Sequence, residues 1–541
     1  MTSQRMRQTL DKLASFGEKR AGTWQNQAAG NYISDRFKQA GLDDVHCEEF
    51  SMNFYDVVSS SLTLTAAAAG ETPVALPIAG HKVFAYSGEG SFQDVEVVDV
   101  GEGRAADYVA PVAGKVVLVR ASQTFHRRNQ LRNALERGAV AMISTSFSPS
   151  NLIQVGTVSP PELGIGPAPT ISIGGTDGAN IRSQIAAGKT VRAKLTVDAK
   201  LEVREAHNIV GRIKRPGSQW SDPYLLVGAH YDTWSTGSTD NGTGVAAMLE
   251  IASTLDKSTL QNDVVFVAYN AEEVGLLGGY DYLRKHVVLG GEAIKAFMNL
   301  EMIGRAKTEL GGATLSRFFV HTQGGPMARL ADEADVETVY PVIAGLENVA
   351  PTSGGNIPTD AQGFYWYGID GTIGFGASPF YHTTADTPDT IDMPFLVSNT
   401  NALKNFLGRI DDEPAASFAP RDPTLYYPEV TTDSSNPSFL RVSVTVRDVN
   451  GAPVANPWAR VQLYVNDFVT PQLASVPENL SAVQELVGDA NGKVTFDIAK
   501  SLVQMGWSSR WVQVRVGNAS ERFPRGEGLK KLYGNFDDDD D

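Results

Sequence analysis

The sequence predicts an α/β fold with a mixed, largely parallel sheet, followed by a separate β-sandwich. Between about residues 206 and 409, strand patterns such as YLLVGAH, DVVFVAY and IKAFMNL alternate with helical patterns such as GVAAMLEIASTL. Strands that alternate with helices at this spacing form layered α/β domains with largely parallel sheets. After residue 425 the pattern changes to alternating strands with Asn-Gly turns, which predicts a β-sandwich.

The residues before this α/β region divide into two further parts. Residues 1 to about 45 carry two helical patterns, RQTLDKLASF and NQAAGNYISDRFKQAG. From there to about residue 201, short β-rich runs dominate, and one helical pattern, QLRNALERGA, stands among them. These runs end near residue 201, and a Pro-rich linker at 413–424 separates the α/β region from a C-terminal region at 425–541.

Composition excludes several classes of protein. The chain has 541 residues, 42% of them hydrophobic, which is ample for buried cores. Its 46 basic and 62 acidic residues give a net charge of −16, so neither a nucleic acid nor an anionic membrane surface is expected as the main partner. The single cysteine, Cys47, excludes an intramolecular disulfide and any cysteine-based zinc site.

Two features bear on the compartment. No apolar stretch approaches the roughly 18 residues that a membrane helix needs. The first twenty residues lack the apolar core of a signal peptide. We expect a cytoplasmic protein, or an extracellular or periplasmic one if the numbering begins after a removed leader, and both alternatives stay open, as does the oligomeric state.

Ionisable side chains follow the predicted strands of the α/β region. Sites in such sheets lie at the carboxyl ends of the strands, where these side chains can converge. Imidazole and carboxylate groups together suit zinc, and two zinc ions about 3.5–4 Å apart can clamp an attacking water. Such a site needs one carboxylate to bridge the metals and a spare one to act as base. The set comprises His230, Asp232, Asp240, Glu272, Glu273, Glu301, Tyr381 and His382.

Five motifs in order carry a resemblance to a known family. GAHYDTW, STDNGTG, YNAEEVGLLGG, NLEMIG and YHTTADTPDT resemble the co-catalytic dizinc aminopeptidases of the MH clan, which include vacuolar aminopeptidase Y, bacterial leucine aminopeptidases and glutamate carboxypeptidases. The resemblance covers about residues 1–410. It implies a zinc-peptidase domain with an α/β/α sandwich, built from residues 1–87 and 201–412. The segment VAGKVVLVRASQTFHRRNQLRNALERGAVAMIS resembles the protease-associated (PA) domain, which we place as an insertion at 88–200.

The resemblance also implies a role for each residue of the set. One of two Zn²⁺ ions would be held by His230, Asp240 and Glu301, and the other by Asp240, Glu273 and His382, with Asp240 bridging. Glu272 would be the general base, Asp232 would orient His230, and Tyr381 would donate a hydrogen bond in the transition state. Glu301 departs from the aspartate of many members, and we interpret it as a tolerated variant. Relatives commonly have a cis peptide bond after the bridging Asp, which we predict at Asp240-Asn241.

The function implied is that of a zinc-dependent exopeptidase acting on peptides with a free N-terminus. Hydrolysis would proceed through a metal-bridging hydroxide with Glu272 as general base. A carboxypeptidase or dipeptidase on the same scaffold is the first alternative, although the β-type C-terminal region lacks the helical domain with which glutamate carboxypeptidases grip a carboxylate. A non-catalytic, transferrin-receptor-like binding protein is the second. We disfavour it because all five ligand positions and Glu272 are chemically competent.

The remaining charged motifs receive no catalytic role. We interpret the basic cluster formed by His126, Arg127 and Arg128 as a solvated face, and the run of aspartates at 537–541 as a solvated tail. The other histidines have no partner motif: His46, His81, His207, His286 and His321.

Overall fold

The structure is a computed structural model of the chain. The residues that it describes are 3–122, 125–148, 150–159, 164–219, 222–312, 317–320, 326–334, 339–341, 359–367, 369–376, 378–418, 426–465, 468–469, 476–503, 510–520 and 523–532. The predicted positions His321, the linker around residue 420 and the aspartate run lie outside these residues.

α-Helices of four residues or more occur in all parts of the described chain. They are α1 (Ser3–Ala14), α2 (Trp24–Gln39), α3 (Arg127–Leu135), α4 (Gly175–Ala186), α5 (Thr243–Ala252), α6 (Leu277–Tyr282), α7 (Pro326–Glu333), α8 (Gln362–Trp366), α9 (Met393–Asp412) and α10 (Lys500–Val503). An irregular turn, Ser238–Gly242, precedes α5, and a π-helical segment, Leu283–Leu289, follows α6.

The strands are numbered in chain order. They are β1 (Asp43–Ala67), β2 (Val74–Leu76), β3 (Lys82–Val83), β4 (Gly90–Asp99), β5 (Val116–Arg120), β6 (Ala141–Thr145), β7 (Thr170–Ile173), β8 (Thr190–Ile213), β9 (Tyr224–His230), β10 (Asp263–Tyr269), β11 (Ile294–Glu301), β12 (Arg317–Val320), β13 (Val339–Pro341), β14 (Gly371–Phe375), β15 (Tyr427–Asp433), β16 (Phe439–Arg447), β17 (Pro457–Val465), β18 (Phe468–Val469), β19 (Val483–Val487), β20 (Lys493–Ala499), β21 (Arg510–Asn518) and β22 (Phe523–Leu532).

The central sheet has the predicted mixed, largely parallel character. Its order is β13-β12-β14-β11-β9-β10-β8, and β14, β11, β9 and β10 run parallel to one another. β9 and β10 have the bounds of the predicted patterns YLLVGAH and DVVFVAY, because each is a fully buried apolar run that ends at a polar residue. The carboxyl ends of four parallel strands therefore meet at one edge.

Two apolar layers cover this sheet and make the predicted α/β/α sandwich. On one face, side chains such as Leu10 of α1, Met248 of α5 and Phe406 of α9 pack with Met298 and Leu300 of β11. On the other face, Tyr280 and Tyr282 of α6 and Phe364 of α8 pack with Tyr224, Tyr269 and Phe297. Alternate residues of β11 thus face opposite layers, and Glu301 lies on the aromatic side.

A long two-stranded ribbon joins this sheet to a second, β-rich part. β1 and β8 pair antiparallel over almost their whole length, which exceeds the short strands that the sequence suggested. The sheet continues from β8 through β4, β5, β6, β7 and β3, with α3 and α4 beside it, and has its own apolar cores. This part includes the segment that resembles a PA domain, and the boundaries at 88 and 200 remain predictions.

The C-terminal region forms the predicted β-sandwich. A sheet of β15, β16 and β20 packs against a second sheet of β17, β18, β19, β21 and β22 around a separate apolar core. It contacts the aromatic layer of the α/β region, since Tyr427 packs there and the Arg515 guanidinium lies 4.9 Å from the centre of the Tyr280 ring. Among the described residues, no helix has the length and apolar character needed to cross a membrane.

Candidate metal centre

The predicted site residues stand at the carboxyl edge of the central sheet. His230 and Glu301 are the last residues of β9 and β11, and Glu272 and Glu273 follow β10 after two intervening residues. His382 follows β14 along the chain. Because β9, β10, β11 and β14 are parallel, these positions are neighbours in space although they span more than 150 positions of the sequence.

Their side chains form two buried groups in which the ligand atoms lie within 4.8 Å of one another, one of His230, Glu272 and Glu301, the other of Asp240, Glu273 and His382. In the first, His230 Nε2 lies 3.1 Å from Glu301 Oε1 and 4.0 Å from Glu272 Oε2. In the second, His382 Nε2 lies 2.9 Å from Glu273 Oε2. All five predicted ligands and Glu272 therefore converge.

Asp240 belongs to the second group and also reaches the first. Its Oδ1 lies 3.2 Å from His230 Nε2, and its Oδ2 lies 3.0 Å from His382 Nε2. The peptide bond between Asp240 and Asn241 is cis, as predicted. The Asn241 side chain fastens this turn to β11, since its Nδ2 donates to the Leu300 carbonyl and its Oδ1 accepts from the Met302 amide. Each carboxylate oxygen of Asp240 thus faces a different histidine.

Asp232 contacts both His230 and the turn that carries the glutamates. Its backbone carbonyl lies 3.0 Å from His230 Nδ1, whereas its carboxylate is 3.7 Å from that nitrogen, too far for a hydrogen bond. The carboxylate instead accepts from the backbone amides of Glu272 (3.1 Å) and Glu273 (3.2 Å). Asp232 therefore fixes the turn after β10 as well as the orientation of the His230 ring.

His382 and Tyr381 lie together at the second group. Their rings stack with centroids 3.7 Å apart, and His382 Nδ1 lies 2.9 Å from the Val155 carbonyl oxygen. With a proton on Nδ1, the Nε2 lone pair faces Asp240 and Glu273. Burial and the neighbouring Asp240 carboxylate raise the pKa of the Tyr381 phenol well above its ordinary value, so its hydroxyl is protonated at neutral pH and can donate.

Crowding of four carboxylates shifts the protonation of the whole site. Burial raises the pKa of Glu301 to about 7 against the attraction of His230, and burial likewise raises the pKa of Glu272 well above its ordinary value. Burial opposes protonation of His382, but Glu273 and Asp240 raise its pKa to about 9. A buried excess of negative charge that protonates its own histidines is suited to divalent cations.

Three buried ligand atoms support the same interpretation. His382 Nε2, Glu273 Oε1 and Glu301 Oε2 make no hydrogen bond of acceptable geometry among the described residues. His382 Nε2 lies close to two carboxylates and yet has no such bond. Imidazole nitrogens and carboxylate oxygens that share a metal ion are arranged in this way, so the donor set fits zinc.

One residue that sequence reasoning missed supports Asp240 from behind. The carboxylate of Asp386 accepts from the amides of Thr239 (2.8 Å) and Asp240 (3.1 Å), and Asp386 is 1% exposed. The signal was present, because Asp386 lies in the quoted segment YHTTADTPDT, four residues after His382. An Asp before Thr-Pro is equally typical of a turn, so the pattern alone assigned it no role.

The interpretation of the basic cluster as a solvated face is wrong. The His126 ring is partly buried and accepts from the Arg128 amide at the start of α3, and burial together with the charges of Arg127 and Arg128 holds its pKa well below the ordinary value. The Arg127 Nε donates to the Thr157 carbonyl at 2.8 Å. Arg127 thus contacts the segment 154–157, which itself contacts the candidate metal centre.

The other histidines lie outside both buried groups. The His207 ring, near Glu49 and Glu205, belongs to a largely exposed cluster on the β1–β8 ribbon. His46 and His286 flank Glu48, with ring nitrogens 3.1 and 2.7 Å from its Oε1. His81 is partly buried beside Ser60. None of these four enters the candidate metal centre.

Comparison with known proteins agrees with this geometry. Residues 208–407, which contain all eight predicted site residues, match the model of peptidase family M28. This segment belongs to peptidase family M28. The chain is 27% identical over 400 residues to aminopeptidase YwaD of Bacillus subtilis, covering 71% of this chain and 79% of that protein. It is 23% identical over 380 residues to a glutamate carboxypeptidase 2 homolog of Caenorhabditis elegans, covering 52% of this chain and 49% of that one.

Solved structures share the fold of the M28 segment and its surroundings. The zinc aminopeptidase BSAP from Bacillus subtilis matches with a TM-score of 0.54 at 21% identity, over 77% of this chain and 97% of that one. A peptidase M28 precursor from Shewanella amazonensis matches with a TM-score of 0.57 at 18% identity, over 76% and 98%. The likeness in fold therefore extends beyond residues 208–407. The family match and the curated relatives together support a hydrolase that acts on peptides.

Proposed function

We propose that the chain is a dizinc aminopeptidase, which removes N-terminal residues from peptides. The observation that carries this proposal is the pair of buried histidine–carboxylate groups, which Asp240 connects by facing both histidines. His230, Asp240 and Glu301 would hold one zinc ion, and Asp240, Glu273 and His382 the other. When bound, the zinc ions would lower the pKa of water toward neutrality and polarise the substrate carbonyl.

Glu272 would act as the general base. Among the carboxylates of the two buried groups, it is the one that neither predicted ligand trio includes, and its Oε2 lies 4.0 Å from His230 Nε2. Burial raises the pKa of its carboxyl group, so it can accept a proton from the attacking water and hold it. The same proton then passes to the nitrogen of the leaving amine as the carbon–nitrogen bond breaks.

Tyr381 would stabilise the oxyanion that forms on the substrate carbonyl. Its ring is held by stacking on His382, and its backbone carbonyl accepts from the Gln154 side chain at 3.1 Å. A protonated phenol fixed in this way donates a hydrogen bond without reorganisation during the reaction. Asp232 would take no direct part in proton transfer. It would instead fix the positions of Glu272 and Glu273 by accepting hydrogen bonds from their backbone amides.

The free amine of the substrate suits the charge of the site. Glu272 and Glu301 lie on the His230 side of Asp240, where a protonated amine would meet carboxylates. The similarity to aminopeptidase YwaD, which the chain covers over 79% of its length, supports an aminopeptidase more than the similarity to the carboxypeptidase homolog, which it covers over 49%. The substrates proposed are therefore peptides with a free N-terminus.

Paired chromogenic substrates test this proposal. Leucine p-nitroanilide should be hydrolysed, its N-acetylated form should not, and a chelator should abolish the rate until zinc is restored. Glu272→Gln should lose turnover by at least a hundredfold while it retains zinc, because the amide cannot accept the proton. Equal rates on free and acetylated substrates would favour a different exopeptidase or an amidase, and a folded protein without metal or turnover would favour a binding protein.

A further inference from the structure

The segment 154–157 of the β-rich part contacts three residues of the M28 segment. The amide of Val155 donates to the His382 carbonyl at 3.1 Å, and the Val155 carbonyl lies 2.9 Å from His382 Nδ1. Gln154 donates to the Tyr381 carbonyl. The Thr157 hydroxyl donates to the Glu273 carbonyl at 2.7 Å. The segment is thus bonded to both non-bridging residues of the second buried group.

Arg127 bonds the same segment from the opposite side. Its Nε donates to the Thr157 carbonyl at 2.8 Å, so Thr157 connects Arg127 to Glu273. Gly156 makes this contact possible, because a Cβ at that position would lie 2.5 Å from the Arg127 guanidinium carbon and its φ is 153°. Arg127 is the first residue of α3. Through Thr157, it therefore connects the start of α3 to the second buried group.

We propose that Arg127 and Thr157 are positioning residues for the metal ligands Glu273 and His382. In this arrangement the β-rich part holds the ligands of one zinc ion, while His230 and Glu301 of the other are held within the central sheet. Hydrogen-bond partners of metal ligands typically change metal affinity or activity by about 10–100-fold when they are removed. The inference rests on the proposed two-zinc site. It predicts that substitution of Arg127 or Thr157 lowers the affinity for one zinc ion and leaves the affinity for the other unchanged.

Removal of Arg127 changes zinc affinity in opposite directions under the two possible roles of this residue. Arg127 is a cation whose charge acts on Tyr381, next to the second group. By electrostatics alone, its removal would strengthen the binding of a divalent cation there. If Arg127 positions Thr157, its removal instead weakens zinc binding. The direction of the change therefore separates a positioning role from a merely electrostatic one.

The experiment is a zinc titration of the full chain against a competing chelator. In Arg127→Ala and Thr157→Val, one of the two zinc equivalents should bind at least tenfold more weakly, and the other should keep its native affinity. Turnover should fall at limiting zinc and recover with excess zinc, with KM for leucine p-nitroanilide unchanged. Thr157→Ser keeps the hydroxyl donor and should restore native affinity. Arg132→Ala, on the same helix and 40% exposed, is the matched control.

Several outcomes would overturn the proposal. Native affinity at both sites in Arg127→Ala and Thr157→Val would do so, as would a lower melting temperature with unchanged zinc affinity, or tighter zinc binding in Arg127→Ala. If one variant does not fold, the other decides. A native chain that binds two zinc ions but hydrolyses no peptide would refute the proposed function and leave this titration valid, whereas an active native chain with insensitive variants would refute the positioning role alone.

Discussion

The carboxylate of Asp386 binds the backbone of Asp240. Its Oδ2 accepts a hydrogen bond from the Asp240 amide at 3.1 Å, and its Oδ1 accepts one from the Thr239 amide at 2.8 Å. Asp240 in turn directs one oxygen to each histidine. The geometry on which both buried groups depend is therefore supported by an aspartate that belongs to neither group.

Replacing Asp386 with Asn should weaken zinc binding at both groups. The Asn side chain has one oxygen to accept from the two backbone N–H groups. One buried donor therefore loses its partner, which costs about 1–3 kcal/mol of stability. We expect zinc affinity to fall by about tenfold or more and the melting temperature to drop. Asp389→Asn, at an exposed carboxylate that pairs with Arg7, is the control and should change neither. Native zinc affinity in Asp386→Asn would contradict this role.

Glu301 should tolerate a shorter carboxylate better than a neutral isostere. Its Oε1 lies 3.1 Å from His230 Nε2, at the end of β11. Glu301→Asp keeps the charge and can still ligate zinc, so we expect activity within about tenfold of native once zinc is saturating. Glu301→Gln loses the charge and should lose one zinc equivalent with most of the turnover. Zinc content and kcat of the two variants check this order, and the reverse order would count against Glu301 as a ligand.

The ion pair network around His286 predicts a pH dependence of stability. Burial opposes the charged ring, but hydrogen bonds to Glu292 and Glu48 raise the pKa of His286 to about 9. A raised pKa contributes stability that is complete below the ordinary value of 6.5 and is lost as the pH rises through 9. The loss is on the order of 3 kcal/mol.

His286→Gln should therefore flatten the decline in stability between pH 6 and pH 9. The measurement is the melting temperature of both proteins across this range. His207→Gln, on the largely exposed ribbon, serves as the control and should keep the native slope. An unchanged slope in His286→Gln would show that other groups cause the decline.

Removal of the C-terminal sandwich near residue 420 should leave the chemistry largely intact. None of the predicted ligands or the base lies beyond His382, and the sandwich has its own core. Its contacts with the aromatic layer, such as Arg515 over Tyr280, would be lost, so we expect a lower melting temperature. Zinc content and kcat on leucine p-nitroanilide should stay near native. A folded truncate with full zinc but no turnover would mean that the sandwich completes the substrate pocket.

Sequence patterns predicted the bounds of the buried strands and the direction in which they run. The apolar runs of β9 and β10 end in His230 and before Glu272, and parallel pairing brings such ends together, so the convergence of the site could be inferred. The role of Arg127 could not be inferred in this way. Its partner Thr157 is 30 residues away in the sequence, and Glu273, whose carbonyl accepts from Thr157, is a further 116 residues along the chain. A basic cluster at a helix start has the same local pattern whether it faces solvent or a neighbouring loop.

The most direct test of the dizinc site is a crystal of the zinc-loaded chain with diffraction collected on both sides of the zinc absorption edge. Two anomalous peaks should flank Asp240, one beside His230 and Glu301 and the other beside Glu273 and His382. A single peak, or peaks that do not contact Asp240, in protein that hydrolyses leucine p-nitroanilide would contradict the two-metal account.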